Sequence, residues 1–153
     1  PGRDAVEPRL KADYDAGKKS FVFAAKRDGA LAYTLLTLRD PAVMADFLPE
    51  KSDASRGLDV SVLHTLVLER VLGIDKENMA NQKNLTYTRS AGEALESVQA
   101  GESQCAFLLN PTRVEEIGAV AAAGEKMPQK STYFYPKLIT GLVMNSLEAP
   151  IED

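Results

Sequence analysis

The segment from Asp59 to Leu72 constrains the fold more than any other part of the chain. Its end signals agree. Asp59 stands at the N-cap position, Leu58 and Leu63 at the two staple positions, and Gly73 at C′. At about 100° per residue, Val60, Leu63, Leu66, Val67, Leu68, Val71 and Leu72 cover most of the helix circumference. Ser61, Thr65 and Glu69 are left as a narrow polar stripe. A helix this apolar belongs in the interior, with other elements around it.

The rest of the chain supplies those elements. A helix is predicted from about Glu7 to Ala16, ended by Gly17. Two apolar runs, Ser20 to Ala25 and Leu31 to Leu38, flank Lys26-Arg27-Asp28-Gly29. Asp-Gly suits the positive φ angles of a tight hairpin turn. Asp40-Pro41 opens a short helix that Pro49 stops, and Glu50 to Gly57 reads as a polar surface loop. Ile74 to Asn84 shows no period and reads as loop. After it comes an alternation: a strand at Leu85 to Thr88, then a helix from the Ser90-x-x-Glu93 capping box to Ala100, closed by Gly101. A strand follows at Gln104 to Leu109, then a helix opened at Asn110-Pro111-Thr112 and closed by Gly124, with a last strand at Leu138 to Ser146. The expectation is a single α/β domain over residues 1–153, with α+β as the variant. It has a mixed sheet: an antiparallel hairpin joined to a partly parallel β-α-β-α-β segment, with helices packed on it.

Several function classes drop out. With 153 residues, 44% hydrophobic, the chain can bury a core without staples, and its single cysteine excludes an internal disulfide framework. One histidine and one cysteine cannot supply the usual Cys/His zinc site, and no cofactor is identifiable. No apolar stretch approaches the about 20 residues of a membrane span, and no signal peptide is visible. A net charge of −4 gives no global attraction to nucleic acid or anionic lipid. The expected location is the cytoplasm. The opening Pro1-Gly2-Arg3, without methionine, reads as a piece cut from a longer protein.

The residues most suited to chemistry lie between two prolines, in Met127-Pro128-Gln129-Lys130-Ser131-Thr132-Tyr133-Phe134-Tyr135-Pro136-Lys137. Lys130, Lys137, Ser131 and Thr132 suit phosphate or carboxylate oxygens, and Tyr133 and Tyr135 suit a ring face. The alternative is that the aromatics plug the core while the lysines are solvated. Arg89 and Arg113 follow the two expected strand-to-helix junctions, where helix N-termini offer free amides to an anion; plain capping is the alternative. Lys130 follows a helix and precedes a strand, which puts it at the opposite sheet edge unless a long loop folds back. His64 falls on the apolar arc of the Asp59–Leu72 helix, as a satisfied core histidine or a ligand-binding group. Arg70 has a similar pair of readings, buried ion-pair partner or anion ligand, and Cys105 reads as a small hydrophobe.

Three stretches carry a family resemblance: Leu63-His64 through Leu72-Gly73-Ile74, Ala106 to Thr112, and Met127 to Leu138 with Gly141-Leu142-Val143. They resemble the bacterial and archaeal family catalogued as domain of unknown function 1015, in order from about Leu58 onward. The resemblance implies a C-terminal half whose preceding half bears an Asp-Gly-His-His-Arg motif, absent from this chain. The family carries no settled reaction.

The leading expectation is a domain that binds a small anionic ligand, a nucleotide or phosphometabolite, for a partner half of the same protein. The alternatives are a docking module, for that half or a second copy in a homo-oligomer, and half of a metabolite kinase or phosphotransferase.

Overall fold

The computed structural model describes residues 3–133 and 135. Helix α1 (Val6–Asp15) leads into a hairpin of β1 (Ser20–Arg27) and β2 (Ala30–Thr37). Asp28 and Gly29 take the positive φ angles, 51° and 83°, that a two-residue turn between twisted strands requires. The chain continues through α2 (Val43–Phe47), α3 (Asp53–Arg56) and α4 (Asp59–Val62), whose path runs on as a π-helical stretch, Leu63–Glu69. Helices α5 (Lys76–Ala80) and α6 (Ala91–Ala100), strand β3 (Cys105–Leu108) and helix α7 (Val114–Ala122) complete it.

The sheet has the order β2-β1-β3, with β1 in the middle. Alternation sends Phe21 and Val22 to opposite faces, and each meets its own cluster. Phe21 packs with Met44, Val62, Leu63, Leu68 and Met79, so α2, the α4–π segment and α5 cover that face. Val22 packs with Val6 and Leu10 of α1 on the other. Register enforces the division: Phe21 lies opposite Leu36, and Val22 opposite both Leu35 and Leu108. Helix α6 rests on all three strands, with Leu95 and Val98 buried. Buried Asp13 of α1 accepts from Ser20 Oγ at 3.0 Å and lies 3.5 Å from Arg9, so the first helix is tied to the start of β1.

The expected α/β class, with helices packed on a sheet, holds. The parallel pairing does not: both strand pairings among the described residues are antiparallel. Residues 85–88 form no strand, so no β-α-β unit precedes β3, and the strand expected at Leu138 to Ser146 lies outside the described residues. Two expected loops are helical. Ser52 caps α3 through Ser55 N, and Asp75 caps α5 through Asn78 N, so short helices carry buried Ser55 and Met79. Such one-turn helices have too few residues to show a period.

Capping and backbone conformation give opposite expectations for two glycines. Gly101 ends α6 at φ 83°, whereas exposed Gly118 lies inside α7 with open space where a Cβ would go. Gly118→Ala should raise the unfolding free energy by about 0.5–1 kcal/mol, and Gly101→Ala should lower it by about 1 kcal/mol, in urea denaturation.

Candidate functional site

The Asp59–Leu72 segment departs from the ideal helix it was expected to be. Leu58, not Asp59, is the N-cap, with no side-chain cap, and Asp59 is the first helical residue. Its carboxylate therefore does not cap its own helix. From Leu63 the stretch is π-helical, and each added residue per turn swings the following side chains around the axis. Ser61 and Thr65, expected on a polar stripe, are buried, while Val71 is 74% exposed. Arg70 is exposed and stacks on Phe47, its guanidinium carbon 4.3 Å from the ring centroid; it is not a buried ion-pair partner.

The π-helical stretch turns His64 toward a cleft of about 280 Å³. Its walls come from the end of α2, the turn into α3, the α4–π segment, the start of α5 and the segment after α7. Lys51, Lys76 and Lys126 line it with His64, Ser55, Ser61 and Thr65, and Met127 and Pro128 close one side. Glu50 is the one acidic lining residue. Burial holds the His64 imidazole below its usual pKa, so it is a neutral hydrogen-bonding group at pH 7. Its ring meets Tyr87 edge-on at 6.5 Å. Glu125 fixes the rim: it accepts from Ser52 N at 2.6 Å and from Ser55 Oγ, which holds its carboxyl below the usual range. Lys51 lies 3.8 Å from Glu125, whereas Lys76 and Lys126 make no ion pair with a described residue.

The proline-bracketed segment contributes through its first residues only. Lys130 is exposed at φ 60° in a turn where Ser131 N and Ser131 Oγ both donate to Pro128 O. Ser131 and Thr132 are half-buried. Tyr133 and Tyr135 do not plug the core, being 48% and 85% exposed. Lys137, like Phe134, lies outside the described residues. The segment nevertheless folds back, as a composite site required. Thr112 Oγ1 donates to Ser131 O at 3.0 Å, and the Arg89 guanidinium carbon sits 3.9 Å from the Tyr133 ring centroid. Arg113 goes elsewhere: it donates to Asp15 at 2.7 Å and stacks 4.0 Å from the Tyr14 ring centroid. Cys105 is half-buried and its thiol is pushed up by desolvation, as suits a packing group.

A second polar cluster, not anticipated from the sequence, lies between β1, α4 and α7. Lys19 Nζ is 3.8 Å from Asp59 Oδ1 and 3.9 Å from Glu116 Oε1. Asp59 is 7% exposed, and neither of its carboxylate oxygens accepts a hydrogen bond from a described residue. Burial pushes its pKa up to about 6, with Lys19 opposing and Glu116 adding to the rise. Burial, and then the neighbouring Glu116 carboxylate, push Tyr14 up to about 12. No group of three or more metal-ligating side chains occurs among the described residues, and none of their helices is long and apolar enough to cross a membrane. No protein-family model, curated protein or solved structure matches the chain.

Asp59 binds its proton more tightly folded than unfolded, with a pKa of about 6 against an ordinary 3.8. Its contribution to stability is full below about pH 4 and is lost as pH rises through 6. Asp59→Asn should therefore gain up to about 2 kcal/mol over the parent chain at pH 8 and little at pH 4. Denaturation curves across that range check the difference.

Proposed function

We propose that the His64 cleft binds a small phosphorylated metabolite, and that the chain is the ligand-holding half of a larger cytoplasmic protein. The observation that carries this reading is the lining. Three lysines and the Ser61 and Thr65 hydroxyls line one cleft against Glu50 and the rim carboxylate of Glu125, which holds Ser55 Oγ and Lys51, in a chain whose net charge is −4. Lysine supplies a phosphate with a point charge, hydroxyls complete its shell, and neutral His64 adds one donor or acceptor without changing the charge. A local reversal of sign in an acidic protein concentrates anions where the field is focused. The volume, about 280 Å³, is just below the ~300–1,000 Å³ of pockets for drug-sized ligands and suits a metabolite.

Two of the stretches that resemble the domain of unknown function 1015 meet here, through His64 and through Met127-Pro128. We read the two stretches as parts of one site that a preceding half completes. A docking role for the same chain is favoured by a separate observation, the exposed Tyr133, stacked with Arg89, and the exposed Tyr135.

Calorimetric titration with inorganic phosphate and with ADP tests the cleft. Lys76→Ala and Lys126→Ala should each weaken binding about tenfold, the worth of one charge-assisted hydrogen bond, while Lys130→Ala leaves it unchanged. Unaltered affinity in the Lys76→Ala/Lys126→Ala double variant would remove the cleft from consideration.

A further inference from the structure

We propose that a second cleft, beside Lys19 and Arg56, binds a short aliphatic carboxylate together with one proton, which Asp59 takes up. The cleft has a volume of about 270 Å³ and runs between the end of β2, α2 and α3. Leu38, Pro41, Ala45 and Val62 form apolar walls, and Lys19 and Arg56 bring cations to them. Asp53 stands at the mouth with a side chain 96% exposed, already bonded to Arg56.

Lys19 is the unusual member. Its side chain is only 21% exposed, yet its ammonium makes no hydrogen bond to a described residue, because Asp59 and Glu116 stand 3.8 and 3.9 Å away. Those two ion pairs hold the ammonium 5.6 Å from the Tyr14 ring centroid, at the edge of an apolar-walled space. Neither carboxylate comes within hydrogen-bond distance of the ammonium, so a ligand carboxylate at the cleft can give it a closer acceptor. Arg56 gives one nitrogen to Leu48 O and another to Asp53, and retains further N–H donors in its planar fork. Two cations at the polar end and alkyl walls along the body describe a carboxylate with a short chain.

The proton follows from the charges around Lys19. Asp59 and Glu116 already share this ammonium, and a third carboxylate would add repulsion without a new cation. The groups facing Asp59 are Lys19, Glu116 of α7, the Tyr14 phenol of α1 and the Asn110 amide, which donates to Leu10 O; Arg113 is spent on Asp15. None of these besides Lys19 supplies a nearby free positive charge. Protonating Asp59 removes one of the two competitors and leaves Lys19 between Glu116 and the ligand.

Titration with sodium butyrate, followed by amide NMR, tests both halves of the proposal. Shifts should centre on Lys19, Leu38 and Val62, and n-butylammonium should produce none. Ala45→Leu, an exposed helix position that narrows the cleft, should weaken butyrate at least tenfold and leave phosphate binding unchanged. Above pH 6.5 the apparent affinity should fall about tenfold per pH unit, as one coupled proton requires, and Asp59→Asn should make it independent of pH. No butyrate binding, equal binding of n-butylammonium, an unaffected Ala45→Leu variant or a pH-independent parent chain would each overturn it.

Discussion

Strand β1 is buried on both faces and paired along both edges, and the rest of the molecule is arranged to make that tenable. Its neighbours Phe21 and Val22 serve different clusters, so each face needs its own cover. Helix α1 covers one, and the α4–π segment with α2 and α5 covers the other. The strand's polar beginning must then be satisfied indoors. Ser20, fully buried, bonds both Asp13 and Thr37, and Lys19 before it reaches Asp59 and Glu116. The second cleft opens at this same edge, so its cation is held by the strand on which the core depends.

The π-helical stretch links core packing to the first cleft. In an α-helix of this sequence Val71 and Leu72 would complete the apolar circumference. The wider turns instead keep Leu63 and Leu68 in the core, carry Val71 out to solvent and set His64 and Thr65 on the cleft wall. Backbone bonds follow the change: Leu72 N donates to Val67 O, five residues back, before Gly73 turns the chain at φ 68°. π-helical turns are found most often at functional sites, because they re-aim side chains at some cost in helix geometry. Here that re-aiming places a neutral imidazole beside three lysines.

What was legible in the sequence was whatever local physics decides. Asp28-Gly29 specified its turn, and Gly17, Gly73, Gly101 and Gly124 all adopt the left-handed conformation expected where helical segments end. Ser90 caps α6 through Glu93 N, as half of the expected box, while Ser90 N donates to Thr88 Oγ1, whose hydroxyl in turn donates to Glu93. Tertiary decisions were not legible. Leu85 to Thr88 has strand-like residues but pairs with no strand among the described residues. Without it no parallel pair forms among the described residues, and the argument that Arg89 and Arg113 share a sheet edge loses its first strand. His64 was singled out by composition; Lys51, Lys76 and Lys126 were not, since they come from loops and helix starts far apart in sequence and share only a cleft.

The two buried aspartates show most directly how a structural carboxylate differs from one held for another purpose. Asp13 and Asp59 are both under a tenth exposed. Asp13 accepts from Ser20, has Arg9 and Lys18 alongside, and ties α1 to β1, so its burial is offset where it stands. Asp59 has one ammonium outside hydrogen-bond range, which it shares with Glu116, and the Asn110 amide as its one neighbouring donor, itself bonded to Leu10 O. A core selected only for stability would place an apolar residue there, since an unpaired buried carboxylate costs more than the packing it provides. Its place beside a cation that opens onto a cleft leaves the charge balance unfinished by the protein alone. A bound anion and a proton together complete it.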